Sequence, residues 1–297
     1  DVGSVQLKLN DDGFYTLMIG CSDMGTGCDT ILAQMAADGL GCDMDNIIVR
    51  GVDTDQSPYD SGSYASSTTY VTGGAVVKAC ESMRKRICEE AAAIMGLKSG
   101  EVDFDGETIS ENDNPEHSMT LSDLITSLEA GNGRIIEVTE SHTSPVSPPP
   151  FMAGAAEIEV DLETGKITPI NYVAAVDCGT VINTNLARIQ TEGGIVQGMG
   201  MTLYEDVQYT EAGKMKNRNF MSYKIPTRLD MGSISVEFES SYEQTGPYGA
   251  KSIGEIVINT PAPAIADAVY NATGLRFRTL PITAEQVMMG LLEREEA

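Results

Sequence analysis

The sequence lacks tryptophan, has only two histidines and holds few basic residues. It carries 19 lysine and arginine residues against 44 aspartate and glutamate residues, a formal net charge of −25. Nucleic acids and membrane surfaces are both anionic, and proteins bind them chiefly through lysine and arginine. The charge balance therefore argues against a nucleic-acid partner and against a membrane partner.

Long apolar runs and paired metal-binding residues are also missing. No apolar run approaches the roughly 20 residues of a transmembrane helix, and no basic-then-apolar leader opens the chain, so we expect a cytoplasmic protein. The six cysteines form no C-x-x-C pair, and His117 and His142 lack a partner at metal spacing. We expect reduced, mostly buried thiols, surface histidines and no side chain that ligates a metal.

The chain reads as a mixture of helices and strands without repeats. It opens directly on a strand–turn–strand pattern, so we expect an N-terminal portion to be absent or supplied by another chain. Period-two alternation predicts a second hairpin over residues 155–176. The prolines of Pro145–Pro150 fit neither a helix nor a central strand, so we place a boundary there. The predicted fold class is α+β, with sub-domains over residues 1–144 and 145–297.

Two polar loops lead directly into predicted helices. One is Gly25-Thr26-Gly27, with Thr26 and Asp29 resembling a capping pair, and the other is Ser66-Ser67-Thr68-Thr69. Both place hydroxyls and unpaired N–H groups at the positive end of a helix dipole, which suits a phosphate or a polar ring. Simple capping explains either loop alone. The two together, in so acidic a chain, favour an anionic cofactor held by main chain and hydroxyls.

The segment GPYGAKSIGE, residues 246–255, has three glycines and ends in a carboxylate. Its glycines would let main chain lie against a ligand while Glu255 is held at a fixed point. Because the apolar residues 256–258 follow, we expect Glu255 to face a partly desolvated pocket and to act as a general base. A glutamate that caps its own loop, or that pairs with Lys251, explains the same residues equally well.

Six segments, in chain order, resemble the molybdenum-binding subunit of the xanthine dehydrogenase and aldehyde oxidoreductase family. They read DMGTGCDTILAQMAADGLG, SYASSTTYVTGGAV, RIQTEGGIVQGMG, YKIPT, GPYGAKSIGE and ATGLRFRTLPIT. Each motif alone is weak, whereas six in register are specific. The resemblance covers nearly the whole chain but only the C-terminal half of that subunit. It implies a molybdenum cofactor-binding fold in which residues 246–297 pack back on the cofactor site.

The resemblance also implies roles for particular residues. Molybdenum would be held by molybdopterin, as the cytosine dinucleotide form usual in bacteria, and Glu255 matches the family's catalytic base. The matched cofactor-binding positions are Gly25, Thr26, Gly27, Ser66, Ser67, Thr68, Thr69, Gln190, Lys251 and Ser252. Tyr64 and Ala65 match the wall on the substrate side. The family commonly has glutamine in place of Thr26 and often has glycine in place of Ser252.

Electrons taken from a substrate need a path that this sequence does not contain. It shows no iron–sulfur cysteine pattern and no G-x-G-x-x-G loop. The resemblance implies a larger molybdopterin subunit, an iron–sulfur subunit and an FAD subunit, with this chain as a medium subunit similar to that of bacterial nicotinate dehydrogenase. We expect hydroxylation of a small N-heteroaromatic such as nicotinate or a purine. The alternatives are an aldehyde-oxidising member, a non-catalytic scaffold or cofactor-loading subunit, and an unrelated phosphate-binding sugar or nucleotide enzyme.

Overall fold

The computed structural model of the chain describes residues 1–295, and their contacts divide the chain into two units. The first unit comprises Asp1–Pro149 and Tyr242–Ser252, and the second comprises Pro150–Ser241 and the chain from Ile253 onwards. The chain therefore passes between the units after residues 149, 241 and 252. The division into sub-domains 1–144 and 145–297, and the packing of 246–297 on a cofactor site, stay predictions.

The first unit is built on a four-stranded sheet. Its elements are β1 (Val2–Leu9), β2 (Tyr15–Ile19), α1 (Cys28–Leu40), β3 (Ile47–Arg50), α2 (Gly73–Met95), β4 (Val102–Phe104), β5 (Thr108–Glu111), β6 (Asn114–Thr120), α3 (Leu121–Asn132) and β7 (Ile136–Thr143). The sheet has the order β3-β2-β1-β7, with β1 antiparallel to both neighbours and β3 parallel to β2. Strands β4, β5 and β6 form a separate antiparallel sheet.

Helix α2 covers the four-stranded sheet with one apolar face and contacts β1 and β7. Val76, Ala79, Met83, Ile87 and Ala91 recur at helical spacing and are fully buried. In β2, and in β1 from Val5 onwards, every second residue is buried, because successive side chains of a strand point to opposite faces of the sheet. Burial of these two faces against each other forms the core of the unit and is its main source of stability.

The second unit has a three-stranded sheet and three helices. Its elements are β8 (Phe151–Val160), β9 (Ile167–Asp177), α4 (Thr184–Leu203), β10 (Ser233–Phe238), α5 (Pro261–Thr273) and α6 (Ala284–Glu295). Strand β9 is central, with β8 antiparallel on one side and β10 parallel on the other. The core contains Tyr172, Val176, Ile195, Ile265 and Val287.

The predicted α+β class, both hairpins and the helices are confirmed, with shifted bounds. Glycine often follows the last residue of a helix, so the sequence predicts that α1 ends at Gly39, but Gly39 lies inside α1. A Cβ on Gly39 would lie 2.8 Å from the Cβ of Cys80 and 2.9 Å from the hydroxyl of Tyr248, so close packing explains this glycine. Gly41, with a left-handed φ of 76°, ends the helix instead.

Two other expectations about the first unit are wrong. The apolar run Ile47-Ile48-Val49 predicts a buried strand, yet β3 lies at the edge of its sheet and only Ile47 of its four residues is buried. Strands β4 to β6 occupy a stretch that reads as acidic turns. Among the residues the structure describes, no helix is both long and apolar enough to cross a bilayer.

Candidate functional site

The Gly25–Gly27 loop joins β2 to α1 and is organised by the carboxylate of Asp23. Asp23 Oδ1 accepts the N–H groups of Gly25 at 2.8 Å and Gly27 at 3.1 Å, and Oδ2 accepts that of Asp29 at 3.4 Å. Burial opposes the charged form, but these hydrogen bonds outweigh it and hold the pKa of Asp23 below its usual range. The chain's own carboxylate therefore binds the amides that the sequence predicted to hold an anion.

The predicted capping pair of Thr26 and Asp29 is wrong, because Gly27 is the N-cap of α1 and receives no side-chain cap. Gly25 has a φ of 99°, and a Cβ on it would meet nothing within 4 Å. The left-handed backbone, rather than crowding, therefore explains this glycine. Thr26 is exposed, so the loop presents a hydroxyl and bare main chain on its outer side.

The second polar loop contains two strained residues. Ala65 and Ser66 have φ values of 51° and 57°, a conformation that costs a non-glycine residue about 1–3 kcal/mol. Ser67 is buried and its hydroxyl donates to the carbonyl of Gly62 at 3.2 Å. A wide turn over Thr68–Thr72 then leads into α2. Backbone strain of this kind clusters at active sites and ligand-binding sites. Here the two strained residues lie in or next to the Ser66–Thr69 loop, which the sequence predicts to bind the cofactor.

Two contacts tie this second loop to its surroundings in the first unit. The Ser63 hydroxyl donates to the Ser22 carbonyl at 3.2 Å, which joins the two polar loops. Tyr64 is 57% exposed, and its hydroxyl donates to the Asp1 carboxylate at 3.1 Å. Ala65 beside it is exposed as well. The structure thus links the segments that precede the two predicted cofactor loops, and it leaves Tyr64 and Ala65, the predicted substrate wall, open to solvent.

The Tyr242–Ser252 segment is anchored within the first unit by the side chains of Tyr248 and Lys251. Tyr248 has a left-handed φ of 52°, and its hydroxyl donates to the Met35 carbonyl at 3.0 Å. Burial raises the pKa of Tyr248 to about 12. Lys251 is buried, and its Nζ donates to the Pro149 carbonyl at 3.4 Å. Lys251 therefore makes a structural contact, while cofactor contacts by Lys251 and Ser252 stay predictions.

In the second unit, Gln190 of α4 binds the main chain next to Glu255. Its Nε2 donates to the Gly254 carbonyl at 3.0 Å. On the other side of Glu255, Val257 is buried and lies so close to Gly194 that a Cβ there would come within 2.1 Å of it. Helix α4 therefore holds the main chain both before and after Glu255. A cofactor contact by Gln190 stays a prediction.

Glu255 itself is exposed, so the expected desolvated pocket is not formed by this chain. It stands at the start of a short 3-10 turn, Ile256–Ile258, and its carbonyl accepts the Ile258 N–H at 3.2 Å. Of the apolar residues that prompted the expectation, Val257 enters the core, while Glu255 points outwards. The structure therefore leaves Glu255 exposed on a stretch of backbone that is held on both sides.

The donor set fits a large, polar, anionic cofactor bound without a basic patch. Main chain, hydroxyls and amides dominate in both groups of predicted residues, and the strained Ala65–Ser66 pair shows one loop fixed in advance. Sequence reasoning missed Asp23 and Tyr248. A signal existed for Asp23, because aspartate two residues before a glycine commonly bonds the backbone ahead of it. Tyr248 gave no local signal, since its partner is distant in sequence.

Comparison with known proteins gives a consistent picture. A family model described as a molybdopterin cofactor-binding domain matches residues 1–232. The chain is 32% identical over 296 residues to "Probable hypoxanthine oxidase XdhD" of Escherichia coli (strain K12), covering 98% of this chain and 30% of that protein. It is 29% identical over 292 residues to the "Xanthine dehydrogenase molybdenum-binding subunit" of Escherichia coli O157:H7, covering 97% and 39%.

The fold is similar to a solved structure as well. Quinoline 2-oxidoreductase from Pseudomonas putida 86 superposes with a TM-score of 0.87 at 25% identity, over 98% of this chain and 38% of that one. The chain therefore spans only 30% to 39% of the length of the proteins it matches.

Proposed function

The chain belongs to the molybdopterin cofactor-binding domain family, as found in the molybdenum-binding subunits of the xanthine dehydrogenase family, and from this premise we propose that it is the catalytic part of a molybdenum hydroxylase for N-heteroaromatic substrates. Two of the similar proteins are named for hypoxanthine and quinoline, both nitrogen-containing aromatic rings. These names support a substrate of the nicotinate or purine class.

The hydrogen bond from Gln190 to Gly254 carries the proposal that Glu255 is the base. With Val257 buried just beyond it, Glu255 stands between two fixed points. A backbone held in this way fixes the point from which the carboxylate reaches a ligand, and general bases depend on such positioning. When bound, the molybdenum cofactor supplies the two-electron oxidation, with the oxygen coming from water. The part played by Glu255 is to take the proton from that oxygen, and the cofactor and substrate would supply the desolvation that this chain lacks.

We assign cofactor binding to residues of both units, each acting from its own unit. In the first, Thr26 and the Ser66–Thr69 loop offer hydroxyls, and Lys251 and Ser252 lie in the returning segment. Gly25 and Gly27 let the main chain approach the cofactor closely, while their N–H groups stay bonded to Asp23. In the second, Gln190 offers its amide. The cofactor form is molybdopterin cytosine dinucleotide, and Tyr64 and Ala65 face the substrate. All of these donors except Lys251 are neutral, which supports the assignment, because a chain with 19 basic against 44 acidic residues has few cations to offer an anion.

The proposed complex follows from the size of the chain relative to its relatives. A relative named as a molybdenum-binding subunit works with other subunits. We propose a larger molybdopterin subunit that supplies the rest of the molybdenum site, with iron–sulfur and FAD subunits that carry the electrons away, all in the cytoplasm.

Replacing Glu255 with glutamine tests the base. In the assembled complex, Glu255→Gln should lower hydroxylation of nicotinate or hypoxanthine by at least about 100-fold, because an amide cannot take the proton. Molybdenum and cytosine nucleotide content, measured after denaturation, should stay at the wild-type level. The matched control is Glu159→Gln, an exposed glutamate on β8 of the same unit, which should leave both quantities unchanged.

Three outcomes would contradict the proposal in different ways. Near-normal turnover by Glu255→Gln would remove the base assignment. A wild-type complex without molybdenum or cytosine nucleotide would favour a scaffold. Oxidation of aldehydes but not of the heteroaromatic compounds would change the substrate class while leaving the role of Glu255 intact.

A further inference from the structure

Four side chains at the start of α1 gather atoms that commonly ligate metals. One carboxylate oxygen of Asp23, the sulfur of Cys28 and one carboxylate oxygen of Asp29 all lie within 4.8 Å of one another. The buried Cys21 thiol adjoins that of Cys28, and Cys28 Sγ donates to Asp29 Oδ1 at 3.7 Å. We call Cys21, Asp23, Cys28 and Asp29 the thiol–carboxylate cluster. It lies entirely within the first unit.

We propose that the thiol–carboxylate cluster binds a thiophilic divalent cation of the Zn²⁺ class. Two sulfurs and two carboxylates make a four-ligand set of the kind that zinc accepts in tetrahedral geometry. Magnesium and calcium prefer sites made of oxygen alone, so the thiols decide the class of metal. Sequence patterns do not predict this site, because the C-x₆-C spacing of Cys21 and Cys28 matches no common zinc motif.

The cluster concentrates negative charge that a cation would neutralise. Asp23 and Asp29 bring two carboxylates to the cluster, and the Cys28 thiol donates to Asp29 Oδ1 at 3.7 Å. A divalent cation offsets the charge of the carboxylates and stabilises the thiolate form of the sulfur that binds it. Each thiol that ligates the ion releases one proton to the solvent, and no oxidation takes place.

The exposure of the four residues gives the ion a way in. Asp23 is exposed and Asp29 half-buried, whereas Cys21 and Cys28 are 1% and 2% exposed. A cation therefore meets the carboxylates first and the thiols below them. Asp23 Oδ1 accepts the Gly25 and Gly27 amides at 2.8 and 3.1 Å, whereas Oδ2 accepts the Asp29 amide at the longer distance of 3.4 Å. That oxygen has the capacity to ligate without the loop coming apart.

This proposal is independent of the proposed catalysis. Its ligands are side chains, whereas the same loop is assigned to the cofactor through Thr26 and the main chain of Gly25 and Gly27. Its test measures metal binding and needs no turnover, so either proposal can fail without the other.

The experiment is a Zn²⁺ titration of the full chain in its assembled, reduced complex, in competition with a chromophoric zinc indicator. Wild type should bind one equivalent per chain more than Cys28→Ser. Asp29→Asn should retain that equivalent with an affinity at least about tenfold lower, since even outer-shell changes cost that much. Cys88→Ser, which removes a half-buried thiol of α2 in the same unit, is the matched control and should bind like wild type.

Cadmium identifies the ligands. Added Cd²⁺ should produce a sulfur-to-metal charge-transfer absorption in the difference spectrum of wild type and Cys88→Ser, and not in that of Cys28→Ser. The proposal is overturned if wild type binds no more Zn²⁺ than Cys28→Ser, or if Asp29→Asn binds with wild-type affinity. Should Cys28→Ser fail to fold, Asp29→Asn decides alone, because its side chain is partly exposed.

Discussion

Gly194 and Gly193 are neighbours in α4 with opposite surroundings. A Cβ on Gly194 would lie 2.1 Å from Val257 Cγ2, whereas a Cβ on Gly193 would meet nothing within 4 Å. Both glycines lie in the same helix, so an alanine at either position has a similar effect on helix propensity. A difference between the two substitutions therefore measures the effect of close packing at Gly194. Because Val257 is two residues after Glu255, crowding at Gly194 also acts on the proposed base.

We therefore expect Gly194→Ala to lower the free energy of unfolding by about 1–3 kcal/mol, the usual cost of overpacking. Turnover should fall too, as Val257 is pushed away. Gly193→Ala should stabilise the chain by about 0.5–1 kcal/mol, because alanine loses less backbone entropy in a helix. Urea unfolding followed by circular dichroism measures both. Equal effects of the two substitutions would show that Val257 moves aside without cost.

Single residues also show what a sequence can and cannot predict about a site. The residues Gly25–Gly27 were found because a glycine pair before a helix is a local pattern, and Asp23 could have been found in the same way. Tyr248 could not, since its hydroxyl reaches Met35 across 213 positions of sequence. The exposure of Glu255 depends on which of several adjacent apolar residues enters the core, and the sequence there does not distinguish them.

At the scale of elements, the start of α1 depends on a single carboxylate. Asp23→Asn should weaken the bonds to the Gly25, Gly27 and Asp29 amides, which are charge-assisted in wild type. In chelator-containing buffer, hydrogen exchange of these amides should accelerate by up to about tenfold, given the usual worth of one such bond. Asp11→Asn, an exposed aspartate in the β1–β2 turn, should leave them unchanged.

The pH dependence of the same amides follows from the lowered pKa of Asp23. A carboxyl with a folded-state pKa below its unfolded value contributes stability that is present above the unfolded pKa and lost as pH falls through the folded pKa. Protection of the three amides in wild type should therefore decline at acidic pH, whereas in Asp23→Asn it should not change over that range. Parallel curves for both proteins would mean that another group holds the loop.

Elements differed in how well the sequence predicted them. Helix α2 was clear because one face of it is buried along its whole length. Strands β4 to β6 were missed because nearly all residues of β6 are exposed, so its stability comes from pairing with β5 and leaves no alternating pattern. Hydrophobic periodicity predicts elements that have a buried face. It does not predict exposed strands that are stabilised mainly by backbone hydrogen bonds to a neighbouring strand.

At the scale of the whole molecule, the dominant property is a net charge of −25. Like charges repel across the folded chain, and salt screens them over a distance of about 30 Å at 0.01 M and about 8 Å at 0.15 M. The unfolding temperature should therefore rise by a few degrees between these concentrations. Sodium and potassium chloride should act equally if screening is the cause. An unfolding temperature that falls with salt would show that attractive ion pairs outweigh the repulsion.

The first unit is built from two separate stretches of the chain, which limits how the units can be exchanged by recombination or by protein engineering. Because Tyr242–Ser252 returns to the first unit, a cut after residue 149 would remove Tyr248 from its place beside Gly39 and Met35. A single genetic crossover thus cannot exchange either unit intact between related proteins. The two units are expected to descend together, and grafting either onto a foreign partner would require transferring two separate stretches of sequence.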